Sequence, residues 1–156
     1  MSEKWDRRFL QLAQHIASWS KDPSTQVGAV IVESPTNIIV GLGYNGFPRG
    51  VHDYPERYSV RETKLSLVVH AEVNAILMAE RKAKGATLYV WPSFLLPPIC
   101  NECCKIAVQA GIKEIVGYSI DEVELNDRQR RWKDAIILSR QMCDEAGIIY
   151  RGITNE

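Results

Sequence analysis

Histidine is scarce in this sequence. His15, His52 and His70 are the three in 156 residues, so a metal site that uses imidazole has few candidates. Net charge is absent as well: 19 Lys and Arg balance 19 Asp and Glu. That balance gives no broad positive field to hold a polynucleotide backbone, and leaves room for a small phosphorylated ligand held by one or two local cations. No apolar run approaches the ~20 residues of a membrane span, and the opening Met-Ser-Glu-Lys-Trp-Asp-Arg-Arg is too charged for a secretory signal. The expectation is a cytoplasmic protein with neither nucleic acid nor membrane as partner. No repeat, low-complexity tract or linker interrupts residues 1–156, which read as a single domain. The four cysteines, at 100, 103, 104 and 143, are clustered, which points to metal or redox work more than to a disulfide framework. What is present, 46% hydrophobic and 24% charged residues, is the balance of a globular fold.

Trp5, Phe9, Leu12, Ala13 and Ile16 recur at helical spacing and predict an amphipathic helix, ended by Lys21-Asp22-Pro23-Ser24. Short β-branched runs at 27–32 and 38–42 predict two strands joined by a tight connection at 34–37. The glycine-rich stretch 41–50 reads as a loop and 51–64 as polar and irregular. Residues 71–82 are strong helix formers, with Gly85 suited to the C-terminal cap. A strand at 86–91, a proline-rich segment at 92–99, a helix at 100–110, a strand at 112–118, a long helix through Trp132 and Met142 to Gly147, and a last strand at 148–150 complete the chain. Strands alternating with helices predict an α/β layered sandwich with a partly parallel sheet.

The informative residues are His70-Ala71-Glu72 and, 30 positions on, Cys100-Asn101-Glu102-Cys103. Cysteines at i and i+3 in a first helical turn lie roughly 60° apart around the axis. With one imidazole from the start of another helix they make three ligands of a tetrahedral zinc, leaving the fourth position for water. Glu72, two residues after His70, points ~200° around a regular first turn and so is not expected as a fourth ligand, while at the helix start its carboxylate can swing over that water. It can take the water's proton and return it to a leaving amine, a division of labour that suits hydrolytic deamination of an amidine-like ring carbon. Alone, a Cys-x-x-Cys is equally a structural half-site, a redox pair or chance; paired with His-x-Glu in this order it becomes specific.

These segments resemble the zinc-dependent cytidine and deoxycytidylate deaminase superfamily, whose signature is of this kind. The similarity is greater to the deoxycytidylate (dCMP) deaminases. It is carried by Asp22-Pro23-Ser24-Thr25-Gln26-Val27-Gly28-Ala29, Gly43-Tyr44-Asn45-Gly46-Phe47-Pro48, His70-Ala71-Glu72-Val73-Asn74-Ala75-Ile76, and Cys100 to Cys103 through Gln109-Ala110-Gly111-Ile112. The resemblance implies a three-layer α/β/α sandwich with a central five-stranded mixed sheet. It implies zinc on His70, Cys100 and Cys103, Glu72 as proton shuttle, and Asn45, Ala71 and Arg81 at the substrate. It further implies a glycine-rich segment (Gly43, Tyr44, Gly46 and Arg49) binding a regulatory deoxynucleoside triphosphate with Mg²⁺, dCTP activating and dTTP inhibiting, in a homo-oligomer, as a hexamer. The expected reaction converts dCMP to dUMP and ammonia and supplies a thymidylate precursor.

Two departures stand out. Ile99 occupies the position where the family has proline before the first cysteine, and the connection from Val90 to Cys100 is about five residues longer than the pattern, so 91–99 is expected to form a different wall of the pocket. Met78 stands where an aromatic is expected near the sugar and reads as a core filler. Cys104 and Cys143 read as buried small residues, and His15 and His52 as surface or packing residues. Competing readings are a deaminase acting on dCTP, a cytidine or guanine deaminase, a tRNA adenosine deaminase, and a catalytically silent zinc module that binds nucleotides. The neutral charge argues against the tRNA enzyme, and an intact Glu72 against the silent module.

Overall fold

The computed structural model describes residues 2–120 and 124–154. Its elements run α1 (Glu3–Ala17), β1 (Gly28–Glu33), β2 (Ile38–Tyr44), α2 (Pro55–Ser59), α3 (Arg61–Leu67), α4 (Ala71–Ala79), a 3₁₀ turn (Glu80–Ala83), β3 (Thr87–Trp91), α5 (Asn101–Ala110), β4 (Glu114–Tyr118), α6 (Asp127–Arg130), α7 (Lys133–Ala146) and β5 (Ile149–Ile153). The five strands form one mixed sheet in the order β2-β1-β3-β4-β5. β1 is antiparallel to both β2 and β3, while β3, β4 and β5 are parallel. The expected α/β/α sandwich is therefore what forms.

Strand alternation explains the layers. Ala29 and Ile31, Leu88 and Val90, and Ile115 face one side, where α4, α5 and α7 pack. Val30 and Val32, Tyr89, and Val116 face the other, where Phe9, Leu10 and Ala13 of α1 cover them. The central strands are apolar at consecutive positions because both faces are covered. Across the α1 face, Asp6 accepts from the Tyr89 hydroxyl (2.7 Å) and from Arg151 (2.7 and 2.9 Å), and Arg151 also donates to Glu114 (2.7 Å). That network ties β5 to α1 with a carboxylate that is fully buried but fully partnered.

The structure differs from expectation in four places. The glycines of 41–44 extend β2 instead of forming a loop, because α4 lies directly on them: a Cβ at Gly43 would come within 2.2 Å of the Ala71 carbonyl oxygen. Residues 51–64 hold two short helices, α2 and α3. The helix from 71 stops at Ala79, where Glu80 turns to φ +52°, so Gly85 follows a 3₁₀ turn instead of capping α4 and donates its N–H to the Gly111 carbonyl. Met78 is 59% exposed, not core.

Candidate active site

Two helix starts make the floor of the site. The chain enters α4 from the Gly46–Val69 bridge, and His70 sits at the N-cap in extended backbone conformation, outside the helix but aimed across its first turn. Cys100 holds the same position on α5, and its Sγ accepts from the Cys103 backbone N–H at 3.5 Å. His70 Nδ1 lies 3.5 Å from Cys100 Sγ and 3.2 Å from Cys103 Sγ, and the three donor atoms fall within 4.8 Å of one another. Zinc bonds of about 2.3 Å to sulfur and about 2.0 Å to nitrogen, at a tetrahedral angle, set neighbouring donors about 3.6 Å apart. The cluster therefore fits zinc, and among the described residues no fourth His, Cys, Asp or Glu joins it.

The surroundings favour a thiolate at Cys100. The hydrogen bond from Cys103, then those from His70 and the Cys103 backbone, hold the Cys100 thiol down to about 4 against its burial. The same shared hydrogen bond, with burial and the Glu72 charge, pushes Cys103 up. His70 is raised to about 9, chiefly by its bond to Cys100. Glu72, 5% exposed, is pushed up to about 7 by burial, with the His70 charge opposing. A carboxyl so placed can hold a proton near neutrality and still give it up.

The floor opens into a cavity of about 510 Å³. His70, Ala71, Glu72 and Cys100 lie at its base. One wall is Val27, Asn45 and the turn of Asp22, Ser24 and Thr25. The opposite wall comes from Pro92, Ser93, Phe94, Pro98 and Ile99, the segment expected to reshape the pocket. That wall is anchored: Ser93 Oγ bonds both the N–H and the carbonyl of Tyr118, and Leu95 packs with Leu125 and Ile136, flanked by Phe94 and Trp132, as a separate small core. Arg61, Lys64, Arg128 and Arg131 complete the lining.

Asn45 serves the wall first. Its Oδ1 accepts from the Val27 N–H (2.8 Å) and its Nδ2 donates to the Thr25 carbonyl (2.8 Å), which leaves one amide N–H for a ligand. Asp22 accepts from the Ser24 and Thr25 N–H groups and from Lys64, whose Nζ also donates to Ser24 Oγ (2.7 Å). Burial pushes the Asp22 carboxyl up, but these donors together hold it below its ordinary 3.8.

The structure brings His70, Ala71, Glu72, Cys100 and Asn45 to one cavity, with Cys103 in the donor cluster behind. Arg81 is exposed on the 3₁₀ turn and does not line it. Gly43 and Tyr44 end β2, Gly46 bridges Val69, and Arg49 is exposed; none of the four lines the cavity. Cys104 and Cys143 are fully buried, their sulfurs 3.7 Å apart, and His15 and His52 are exposed. The cavity cations escaped sequence reasoning. One signal for them was present: Asn126 and Gln129 form a capping box that starts α6, the helix carrying Arg128.

The family model of the cytidine and deoxycytidylate deaminase zinc-binding region matches residues 3–119. The human deoxycytidylate deaminase is 45% identical over 154 residues, covering 95% of this chain and 79% of that protein. An uncharacterized deaminase in the luxG 3′ region of Aliivibrio fischeri is 41% identical over 150 residues, covering 95% and 92%. The dCMP deaminase of cyanophage S-TIM5, in complex with dCMP and dUMP, has the same fold, with a TM-score of 0.70 at 22% identity over 98% of this chain and 99% of that one.

Proposed function

The chain belongs to the cytidine and deoxycytidylate deaminase family, and we propose that it hydrolyses the 4-amino group from dCMP, giving dUMP and ammonia. The observation that carries this reading is the meeting of His70, Cys100 and Cys103 beside a buried Glu72 at the base of one cavity. Held by those three residues, a zinc ion would supply a Lewis acid that lowers the pKa of a water from about 15.7 to about 7. Glu72 takes a proton from the attacking water and passes it to the ring nitrogen next to the reacting carbon. The same carboxylate then takes the proton of the hydroxyl now on the reacting carbon and gives it to the amine; the carbon–nitrogen bond breaks, the carbonyl of dUMP remains, and one water is consumed for one ammonia released. Burial suits Glu72 to both roles, because its carboxyl is held near neutrality. Ala71 and the free amide N–H of Asn45 are assigned to the substrate, as both line the cavity. A role for Arg81 would have to be exercised from another surface.

The regulatory part of the reading, dCTP with Mg²⁺ activating and dTTP inhibiting, rests on the segment Gly43 to Arg49 alone; assembly as a hexamer and action in the cytoplasm are proposed separately from it. Purified protein should be offered dCMP, dCTP, cytidine and an adenosine-containing tRNA stem-loop, with product mass as the readout. Turnover of dCMP above the others is expected; turnover of the RNA alone overturns the assignment. A dCMP rate curve unmoved by added dCTP or dTTP dismisses the regulation.

A further inference from the structure

The segment Asp22 to Ala29 supplies neither a zinc ligand nor the proton carrier, yet together with Ser20 it holds Asn45 by both backbone and side chain. The Asn45 N–H donates to the Val27 carbonyl (3.3 Å), and the Asn45 carbonyl accepts from Ser20 Oγ (2.8 Å). The carboxamide is held between the Val27 N–H and the Thr25 carbonyl. Those two side-chain bonds fix the sense of the amide. Turned over, its NH₂ would meet the Val27 N–H and its oxygen the Thr25 carbonyl, donor against donor and acceptor against acceptor. Asn45 therefore offers the cavity a hydrogen-bond donor. That sense lasts only while the Thr25 carbonyl stays in place, and residues 20–27 lie outside helix and strand.

Asp22 supplies the missing anchor. It is 4% exposed, and its Oδ1 accepts from the Ser24 N–H (2.8 Å), the Ser24 hydroxyl (3.0 Å) and the Thr25 N–H (3.0 Å). An aspartate that reaches the backbone two and three residues on replaces the ladder bonds such a turn lacks. We infer that Asp22 is a positioning residue: by closing the 22–25 turn it fixes the Thr25 carbonyl, and through it the direction in which Asn45 presents its free N–H to an acceptor oxygen of the nucleotide. The inference rests on the deaminase reading above for the identity of the ligand. A side chain that touches a ligand discriminates only when supporting hydrogen bonds lock its orientation, and here the support runs from Asp22 through Thr25 to Asn45. Lys64 pairs with the same carboxylate (3.2 Å to Oδ2, 3.3 Å to Oδ1), but the turn's own donors all converge on Oδ1. Short reach, more than negative charge, is what the turn requires of residue 22.

The test uses the full-length, zinc-loaded protein. Asp22→Asn keeps the short reach and an acceptor oxygen without the charge; Asp22→Glu keeps the charge on a side chain too long for the turn. Asp22→Ala and Asp22→Glu should lower kcat/KM for dCMP roughly three- to tenfold, the loss of about one neutral hydrogen bond, while Asp22→Asn stays within about twofold. Zinc content should be unchanged in all three. In an Asn45→Ala background Asp22→Glu should bring no further loss, because the contact it serves is already gone. The Asn45 side-chain amide, followed by ¹⁵N NMR, should keep its resonances in Asp22→Asn and shift in Asp22→Glu, the variant that serves if Asp22→Ala does not fold. Losses that multiply in the Asn45→Ala background overturn the assignment. So does an Asp22→Asn variant as impaired as Asp22→Glu, or an Asn45 amide that Asp22→Glu does not move. If the unaltered protein deaminates no cytosine nucleotide, yet the Asn45 amide shifts in Asp22→Glu and not in Asp22→Asn, the positioning role stands and the deaminase reading fails.

Discussion

On the cavity floor, His70 and Glu72 are two residues apart and Cys100 and Cys103 three, each set at the start of one helix; on the rim, Arg128 reaches Ser24 and Thr25 across 104 and 103 positions of chain. The floor is also largely withdrawn from water, with Glu72 and Cys103 nearly inaccessible, whereas Arg61, Arg128 and Arg131 are exposed. Burial makes each floor charge costly unless paired, so its groups shift one another strongly; at the rim solvent screens the same charges. The floor groups thus sit in short-range, desolvated geometry, and the rim groups in long-range, solvated geometry. Changes to the floor should act on rate, and changes to the walls on affinity or stability.

The largest effect should come from Cys103→Ala. Loss of one of three ligands should strip the metal, measured by elemental analysis, and abolish turnover; retention of stoichiometric zinc would mean that Cys103 is not a ligand. Glu72→Gln should come next: full zinc content with kcat reduced by roughly 10²–10⁴-fold, the usual contribution of general acid–base catalysis. Activity near that of the unaltered protein would take the proton shuttle away from Glu72.

On the wall, Lys64→Met leaves the buried Asp22 without its cation but with the Ser24 and Thr25 donors. It should cost roughly 2–3 kcal/mol of stability at neutral pH, at or below the low end for a broken buried pair, with zinc retained. Because the folded-state carboxyl of Asp22 is depressed, its stabilisation is present above the ordinary 3.8 and is lost as pH falls through the lower folded value. The gap between the unaltered protein and Lys64→Met, read from denaturant midpoints, should therefore narrow below about pH 4; a gap that is constant with pH would exclude Asp22 as the titrating group. Least of all, Met78→Ala on the exposed side of α4 should change stability by no more than about 0.5 kcal/mol in the same assay.

Most of the sandwich was legible from residue pattern. The stripe from Trp5 to Ile16 became α1, and the runs of β-branched residues became the five strands, with boundaries shifted by up to three residues. The segment 41–44 was misread because glycine has two meanings: in a loop it provides conformational freedom, and in β2 it makes room for the backbone of α4, which the chain reaches only 27 residues later. Met78 reads as a core filler because methionine is apolar and flexible, whereas α4 buries the side carrying Ala71, Glu72, Ala75, Ile76 and Ala79 and leaves Met78 exposed. Arg61 and Arg131 carried no signal at all, since isolated arginines in polar stretches look like ordinary surface.

The order of residues by itself determined the donor set and its neighbour: an imidazole and two sulfurs at helix starts, with a carboxylate within one turn, follow from backbone geometry over three or four residues. Only the tertiary structure decided that α3, the 22–25 turn and the start of α7 surround one cavity and that the backbone of α4 lies close against the glycines of β2. Helical periodicity acts over a few residues, but the closing of a wall from segments a hundred positions apart depends on how the whole sheet packs its two layers of helices.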